Sequence, residues 1–273
     1  MPQHRENFLS HLGFKRFTPS IKLARFVDCY WFINTPVSTS INYREYLHPN
    51  GGVGIILNYG DPLQFDKTPH TDSCILDGTN TVTRELGLTG IITAVGIRFK
   101  TAGACLFFSQ PLNELKNETM SLTDTQFKNY PYLYDELDRA KTYGEKVSII
   151  EYWLYRCIQF EKEVSGVVTA TISLINKNSG LLPIRTIAAT LDYNQRKIER
   201  LFRAQVGMSP KEYSRTLRIE KARSYINRNQ QMSFSEIAYQ LGFYDQAHFI
   251  NQFKRVVGIT PREYSIKKLA NTC

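Results

Sequence analysis

The C-terminal part of the chain contains the same pattern of apolar positions twice. Residues 187–213 read IAATLDYNQRKIERLFRAQVGMSPKEY, and residues 237–264 read IAYQLGFYDQAHFINQFKRVVGITPREY. The apolar residues of the two segments match at an offset of 50 at first and of 51 later. Within each segment they recur three or four positions apart, which is typical of helices that bury one face. The sequence therefore predicts two copies of one helical unit.

Each copy is predicted to contain a short helix, a tight turn and a longer helix. The predicted elements are Ile184–Leu191, Asp192–Asn194 and Gln195–Val206 in the first copy, and Ser235–Leu241, Gly242 and Asp245–Val257 in the second. Asn194 suits an N-cap, because its side chain can accept a hydrogen bond from the first turn of the helix. One further helix, Pro210–Asn227, is predicted to connect the two copies. The repeated region is therefore predicted to be all-α.

The first hundred residues show a different pattern, in which short apolar segments alternate with turn signals. Val53–Leu57, for example, is an apolar run between Asn50-Gly51-Gly52 and Gly60-Asp61-Pro62. A short apolar run between turn signals is typical of a buried strand. Several such segments in succession predict a small β-sandwich or barrel.

Longer segments follow and lead into the repeated region. Apolar residues at helical spacing predict helices over Phe127–Tyr143, Val147–Lys162 and Val164–Lys177. The predicted fold class is therefore α+β. Its predicted domains are a sensor domain at 1–120, a helical connector and candidate dimerisation segment at 121–164, and an all-α domain at 165–273.

Positive charge is concentrated in the repeated region. The chain has a net charge of +9, yet residues 165–273 hold 17 Lys and Arg against 7 Asp and Glu, and residues 1–164 hold 17 against 18. Such asymmetry favours a polyanion as the partner of the basic half. A membrane surface also attracts basic residues, but here they lie within a structured repeat rather than on one amphipathic helix. We therefore predict double-stranded DNA as the partner, and no membrane.

The longer helix of each copy, which we call the reading helix, has a polar side that suits the major groove of DNA. In that groove Arg can bind guanine, and Gln can bind adenine, through paired hydrogen bonds. The candidate DNA-binding residues are Arg196, Lys197, Glu199, Arg200 and Arg203 in the first reading helix, and Gln246, Ala247, Ile250, Asn251 and Lys254 in the second. One exposed Arg or Lys is more often a solvated charge, so the duplication as a whole carries the prediction. The connecting helix is about 27 Å long. This length could hold the two units about one turn of DNA, or roughly 34 Å, apart.

Residues 165–268 resemble the DNA-binding domain of AraC/XylS-type bacterial transcription regulators. The resemblance rests on IAATLDY, IERLFRAQVGMSPKEY, LRIEKA and IAYQLGFYDQAHFINQFKRVVGITPREY. It implies two helix-turn-helix units that enter successive major grooves, and it makes RNA polymerase a candidate partner. The chain departs from the family at Asp192, where a turn glycine is usual, and at Asn251, where Arg is frequent. Asp can adopt the left-handed conformation, so we expect the turn to form.

The N-terminal part is similar to the sensor domain of one AraC subgroup. The similar segments are FTPSIKLARFVDCYW, REYLHPNGGVGIILNYGDPL and VGIRFKTAGACLFFSQPLNELKNETMSL. The similarity implies a cupin-like domain that responds to a small-molecule effector, followed by helices that support a homodimer. The candidate effector-binding residues are Tyr43, Arg44, Tyr46, His48 and Arg98.

A metal-binding or enzymatic domain tethered to DNA is the alternative. The histidines show no HxH or HxxxH spacing, and His48 lies in a turn. No Gly-Lys-Ser/Thr phosphate loop, GxSxG or GxGxxG motif is present, and the five cysteines are scattered without a CxxC pair. We therefore predict no metal, no cofactor and no catalytic activity. The start, MPQHRENF, lacks the layout of a secretory signal, so a cytoplasmic location is expected.

Overall fold

A computed structural model describes residues 13–35, 39–125, 130–159, 161–228 and 232–270 of the chain. Within these ranges every β-strand lies before residue 122, and every α-helix lies after residue 129. The predicted α+β class, with strands first and a helical C-terminal part, is thereby confirmed.

The N-terminal part forms two antiparallel sheets. Their strands are β1 (Lys15–Phe17), β2 (Val27–Asn34), β3 (Thr39–Leu47), β4 (Gly54–Asn58), β5 (Leu63–Phe65), β6 (Thr68–His70), β7 (Cys74–Asp77), β8 (Arg84–Gly90), β9 (Thr93–Phe99) and β10 (Thr119–Ser121). The six-stranded sheet has the order β1-β2-β9-β4-β7-β10, and the four-stranded sheet has the order β3-β8-β5-β6. Neighbouring strands are antiparallel throughout both sheets.

The six-stranded sheet separates two apolar cores, which explains why its central strand β4 is apolar at successive positions. Ile56 and Leu88 belong to the core between the two sheets. Ile55 and Trp153 belong to a second core on the opposite face, where helices cover the sheet. A strand buried on both faces has no polar alternation in its sequence.

Two helices cover that second face. They are α1 (Tyr130–Arg139) and α2 (Tyr143–Cys157). Leu137 of α1 and Trp153 of α2 lie in the core that they share with the sheet. The helix α2 begins before Val147, because Thr142 and Glu145 form a capping box in which each side chain accepts a hydrogen bond from the other residue's N–H. The predicted connector therefore packs as part of the N-terminal core.

The remaining helices form the C-terminal part. They are α3 (Gly166–Lys177), α4 (Ile184–Thr190), α5 (Gln195–Val206), α6 (Pro210–Asn227), α7 (Phe234–Gln240), α8 (Gln246–Val257) and α9 (Pro261–Ala270). The pair α4–α5 buries Phe202 in one core, and the pair α7–α8 buries Phe249 and Phe253 in another. The long helix α6 contributes to both cores, with Tyr213 in the first and Ile219 in the second. It therefore joins the two pairs.

The tight turns within the two pairs use the same backbone conformation. Gly242 between α7 and α8 has φ 63°, and Asp192 between α4 and α5 has φ 47°. The left-handed conformation expected of Asp192 is thus confirmed. Side-chain oxygens of Asn194 and Asp245 then accept hydrogen bonds from the first turns of α5 and α8. The first reading helix therefore begins at the predicted residue, and the second begins at Gln246, one residue after its predicted start.

Candidate nucleic-acid interface and adjoining cavity

The first reading helix, α5, buries one side and exposes the predicted DNA-binding side. Ile198 and Phe202 are fully buried. The exposed cationic candidates are Arg196, Lys197, Arg200 and Arg203. Glu199, which is half-buried, accepts a hydrogen bond from Gln195 Nε2 at 2.9 Å and lies 3.9 Å from the guanidinium of Arg203. The exposed side is therefore dominated by positive charge.

The second reading helix, α8, exposes a less charged side. Its exposed candidates are Gln246, Ala247, Asn251 and Lys254, and Ile250 lies half-buried beside them. Ser235 Oγ donates a hydrogen bond to Gln246 Oε1 at 2.5 Å. The amide N–H groups of Gln246 have no hydrogen-bond acceptor among the described residues, so they can donate to one outside the helix pair.

Three further exposed side chains, on α8 or just before it, are not among the predicted DNA-binding residues. They are Tyr244, His248 and Arg255. Tyr244 is 92% exposed, and its backbone N–H donates to His248 Nδ1 at 3.2 Å. Since Nδ1 accepts here, Nε2 carries the hydrogen of the neutral ring. The spacing of apolar residues identifies buried positions and gives no information about exposed ones. The sequence feature that could have indicated these side chains is the aromatic Tyr244, directly before the cap residue Asp245.

Both reading helices end against one loop of the N-terminal part, residues 78–83 between β7 and β8. Thr79 Oγ1 donates to the carbonyl oxygen of Val206, the last residue of α5, at 2.9 Å. The N–H of Thr83 donates to the carbonyl oxygen of Val256, near the end of α8, at 2.7 Å. Residues four positions apart span at most about 14 Å. The C-terminal ends of the two reading helices therefore lie on the same side of the helical domain.

An ion pair beside this loop joins α6 to the N-terminal part. Lys116 Nζ lies 2.6 Å from Glu212 Oε1, and Glu212 also accepts hydrogen bonds from the N–H and hydroxyl of Ser209. Burial alone would raise the pKa of Glu212, but the hydrogen bonds from Lys116 and Ser209 outweigh it and lower the pKa to about 2. Glu212 therefore remains a carboxylate at every pH near neutrality.

A cavity of about 520 Å³ lies between the sheets and reaches the helical domain. Among the predicted effector-binding residues, His48 and Arg98 line this cavity. From the helical domain, Ile172, Asn176 and Glu220 complete its wall. The cavity therefore borders both parts of the molecule.

The other predicted effector-binding residues lie on β3. Arg44 and Tyr46 lie on its outer face, where Arg44 pairs with Glu85 at 3.3 Å and the ring of Tyr46 lies 5.8 Å from Lys267 Nζ. The side chain of Tyr43 falls outside the described part of the chain. The alternation of β3 places the intervening residues inward instead, so the cavity-lining residues of this strand are Glu45 and Leu47. The pairing with β8 fixes that register, and the sequence of β3 alone does not show it.

Two charged residues, Arg98 and Asp77, lie in one row across the sheet at the cavity, with a glycine between them. Arg98 and Asp77 both pair with Gly54, which lies between them on β4. Because Gly54 has no side chain, the row leaves space between a guanidinium and a carboxyl group. Burial raises the pKa of Asp77, although a hydrogen bond from Asn80 and the nearby arginines act in the opposite direction. The cavity thus offers hydrogen-bond donors and acceptors side by side.

The described ranges contain no group of three or more His, Cys, Asp or Glu side chains placed to hold a metal ion. Cys74 is buried, and burial raises its pKa to about 12, so this thiol is not a reactive thiolate. No α-helix in the described part of the chain is long and apolar enough to cross a membrane.

Comparison with known proteins shows which domain and which proteins the repeated region is similar to. Residues 187–266 match a family model described as a helix-turn-helix domain, and residues 15–121 match one described as a domain of unknown function (DUF6597). The transcriptional activator RhaR of Cronobacter sakazakii is 43% identical over 68 residues, which are 25% of this chain and 24% of RhaR. The transcriptional activator RhaS of Escherichia coli is 34% identical over 77 residues, which are 28% of this chain and 27% of RhaS. This chain carries an AraC-type helix-turn-helix domain.

The chain spans about a quarter of the length of the curated relatives it matches, so the two matches concern the AraC-type domain alone. A solved structure of ToxT from Vibrio cholerae aligns with 86% of this chain and 98% of its own, at 15% identity and a TM-score of 0.46. RhaR and RhaS are named as transcriptional activators. The repeated region of this chain is therefore similar to segments of proteins that are named as transcriptional activators.

Proposed function

We propose that this chain is a transcription regulator that binds double-stranded DNA through both reading helices, with α5 and α8 in two adjacent major grooves. The observation that carries the proposal is the shared construction of the two helix pairs. Each reading helix buries its apolar side, exposes its polar side and ends on the loop 78–83. An α-helix fits the major groove of B-DNA, and DNA as the partner places the working protein in the cytoplasm.

The two reading helices contribute differently in this proposal. The cations of α5 attract phosphate groups, a sequence-independent interaction that weakens as salt rises. Arg196 and Arg200 also have the forked geometry that binds guanine O6 and N7. On α8, the Gln246 amide suits adenine, and Ala247 and Ile250 suit the methyl group of thymine. We expect α5 to supply most of the affinity and α8 to add sequence discrimination.

The N-terminal part serves as a cupin-like sensor in this proposal, with a small-molecule effector in the cavity. Arg98, His48 and Asp77 offer polar contacts, and the ring of Trp31 offers an apolar surface. Because the helical domain contributes part of the cavity wall, an effector touches both domains. It therefore binds more tightly to one arrangement of the domains than to another, and it shifts the population towards that arrangement.

Two protein partners complete the proposal. Tyr132 on α1 and Tyr152 on α2 are 60% and 59% exposed, and this aromatic surface suits a homodimer contact. RNA polymerase is the partner that a regulator bound beside a promoter acts upon. Sedimentation of the wild-type chain and of Tyr152→Ala at micromolar concentration tests the first of these contacts. A mass unchanged by the substitution contradicts it.

The experiment that tests DNA binding starts from selection of duplexes by the full chain from a library with a randomised segment of about 40 base pairs, roughly four helical turns. A mobility shift then compares the selected duplex with a scrambled duplex of the same composition. We expect an affinity ratio on the order of 10³ or more at physiological salt. Equal affinity for the two duplexes would contradict sequence-specific binding.

A further inference from the structure

The loop at residues 78–83, which we call the bridging loop, is the place where one segment of the N-terminal part contacts both reading helices. Its two hydrogen bonds go to backbone carbonyl oxygens in the last turns of those helices, from Thr79 Oγ1 to Val206 and from the N–H of Thr83 to Val256. Thr79 is fully buried. Carbonyl groups in the last turn of a helix have no partner within the helix, so these bonds satisfy groups that otherwise need water.

The packing at the first contact is close as well as polar. Gly207, which ends α5, has φ 88°. A Cβ at Gly207 would lie 2.5 Å from Thr79 Oγ1 and 3.0 Å from the carbonyl oxygen of Leu112. The end of α5 is therefore fitted directly against the N-terminal part, with no space for an intervening side chain.

The bridging loop is held in shape by Asn117. Asn117 Oδ1 accepts hydrogen bonds from the N–H of Thr81 at 2.8 Å and from its hydroxyl at 3.1 Å. The N–H of Asn117 donates to the carbonyl oxygen of Thr79 at 3.0 Å. These three hydrogen bonds to Asn117 fix the backbone of the bridging loop between its two helix contacts.

The bridging loop also touches the cavity. Asn80, one of its residues, lines the cavity and donates to Asp77 Oδ1 at 3.0 Å. Asp77 belongs to the charged row on the cavity wall. A molecule that binds at this row therefore contacts residues one or a few positions away from the two helix contacts.

The two reading helices are connected in two places. The helix α6, about 27 Å long, joins the two pairs through their cores. A single connecting helix still allows the pairs to rotate about its ends. The bridging loop adds a second connection, at the C-terminal ends of α5 and α8.

We propose that the bridging loop is a positioning element that sets the spacing at which the two reading helices meet DNA, with Thr79 as its principal positioning residue. This inference rests on the proposed binding of two adjacent grooves. The spacing preference of the protein for DNA is then a property of the whole chain, and the N-terminal part determines it together with α6.

The test compares the full-length wild-type chain with Thr79→Val, which removes the hydroxyl donor and keeps the shape, and with Thr79→Ser, which keeps the donor. The probes are the duplex selected by the wild-type chain and the same duplex with one or two base pairs inserted between its two protected segments. Each inserted pair moves the segments about 3.4 Å apart along the axis and rotates them by about 35°. The readout is the ratio of affinities for the selected and the expanded duplex, because a general loss of stability lowers both affinities and leaves the ratio unchanged.

We expect the wild-type chain and Thr79→Ser to prefer the selected duplex by about tenfold or more, and Thr79→Val to lose at least two-thirds of that preference. An unchanged ratio in Thr79→Val would overturn the inference and leave the proposed function intact. A wild-type footprint on one segment only would overturn the two-groove proposal, and the inference with it. If Thr79→Val does not fold, Thr79→Ala removes the same hydroxyl without placing a methyl group against Gly207, and its ratio decides in the same way.

Discussion

The two helix pairs of the AraC-type domain share their local construction and differ in their surroundings. Both reading helices end in a left-handed glycine, Gly207 at φ 88° and Gly258 at φ 90°. The N-terminal part packs tightly around Gly207, whereas a Cβ at Gly258 would have no described atom within 4 Å. The duplicated sequence therefore determines how each pair folds, and residues far away in the chain determine how firmly each pair is held.

The largest expected effect comes from Ala substitution at these two glycines. Both substitutions place a Cβ in the left-handed conformation, which costs about 1–2 kcal/mol. Gly207→Ala adds a clash with Thr79 and Leu112, and overpacking of this kind costs a further 1–3 kcal/mol, roughly. Urea unfolding of the full chain should therefore show a clearly larger loss for Gly207→Ala than for Gly258→Ala. Equal losses would contradict the close packing of the N-terminal part against Gly207.

The second comparison concerns one exposed residue from each reading helix. Arg200→Ala should weaken binding to the selected duplex by about 1–3 kcal/mol and should weaken binding to scrambled DNA as well, because a cation is lost. Asn251→Ala should weaken binding to the selected duplex alone. Titrations with both duplexes measure these changes. A loss of scrambled-DNA binding in Asn251→Ala as large as that in Arg200→Ala would contradict the division of roles between α5 and α8.

The third comparison uses the capping-box glutamates of the two copies. The pKa of Glu212 is lowered from 4.5 to about 2, so its carboxylate stabilises the fold above about pH 4.5, and this stabilisation is lost as the pH falls from about 4.5 to 2. Its side chain is 25% exposed, and we expect a contribution of about 2 kcal/mol at neutral pH. Glu212→Gln should abolish this part of the acid dependence of the unfolding free energy.

Glu263 is the matched control for Glu212, because it occupies the same position in the second copy. Hydrogen bonds from the N–H and hydroxyl of Thr260 lower its pKa, but no ion pair to the N-terminal part is present at this exposed position among the described residues. Glu263→Gln should therefore change the acid dependence less than Glu212→Gln. The same acid profile in both variants would show that the capping box, rather than the contact with Lys116, is responsible.

The smallest expected effect is a change in salt dependence. Arg196→Ala removes one cation from α5 and should reduce the slope of log K against log salt concentration by about 1. Gln246→Ala on α8 should leave the slope unchanged. Binding isotherms between about 50 and 200 mM salt measure both slopes. A reduced slope in Gln246→Ala would contradict its assignment to a base edge.

The helices of the AraC-type domain could be predicted closely because their ends depend on local signals. The bounds of α5 and α6 agree with the prediction, since Asn194 and the Ser209–Glu212 capping box begin these helices and Gly207 ends α5. The inward face of β3 could not be predicted, because it depends on the register with β8. The contacts of the bridging loop with the reading helices could not be predicted either. Thr79 and Val206 are 127 positions apart, and no local sequence pattern connects them.

The most direct test of the account is a hydroxyl-radical footprint of the full-length chain on its selected duplex. Two reading helices on one side of the molecule predict two protected stretches on the same face of the duplex, about one helical turn apart. A single protected stretch, or no protection in dilute salt, would contradict the claim that α5 and α8 bind adjacent major grooves together.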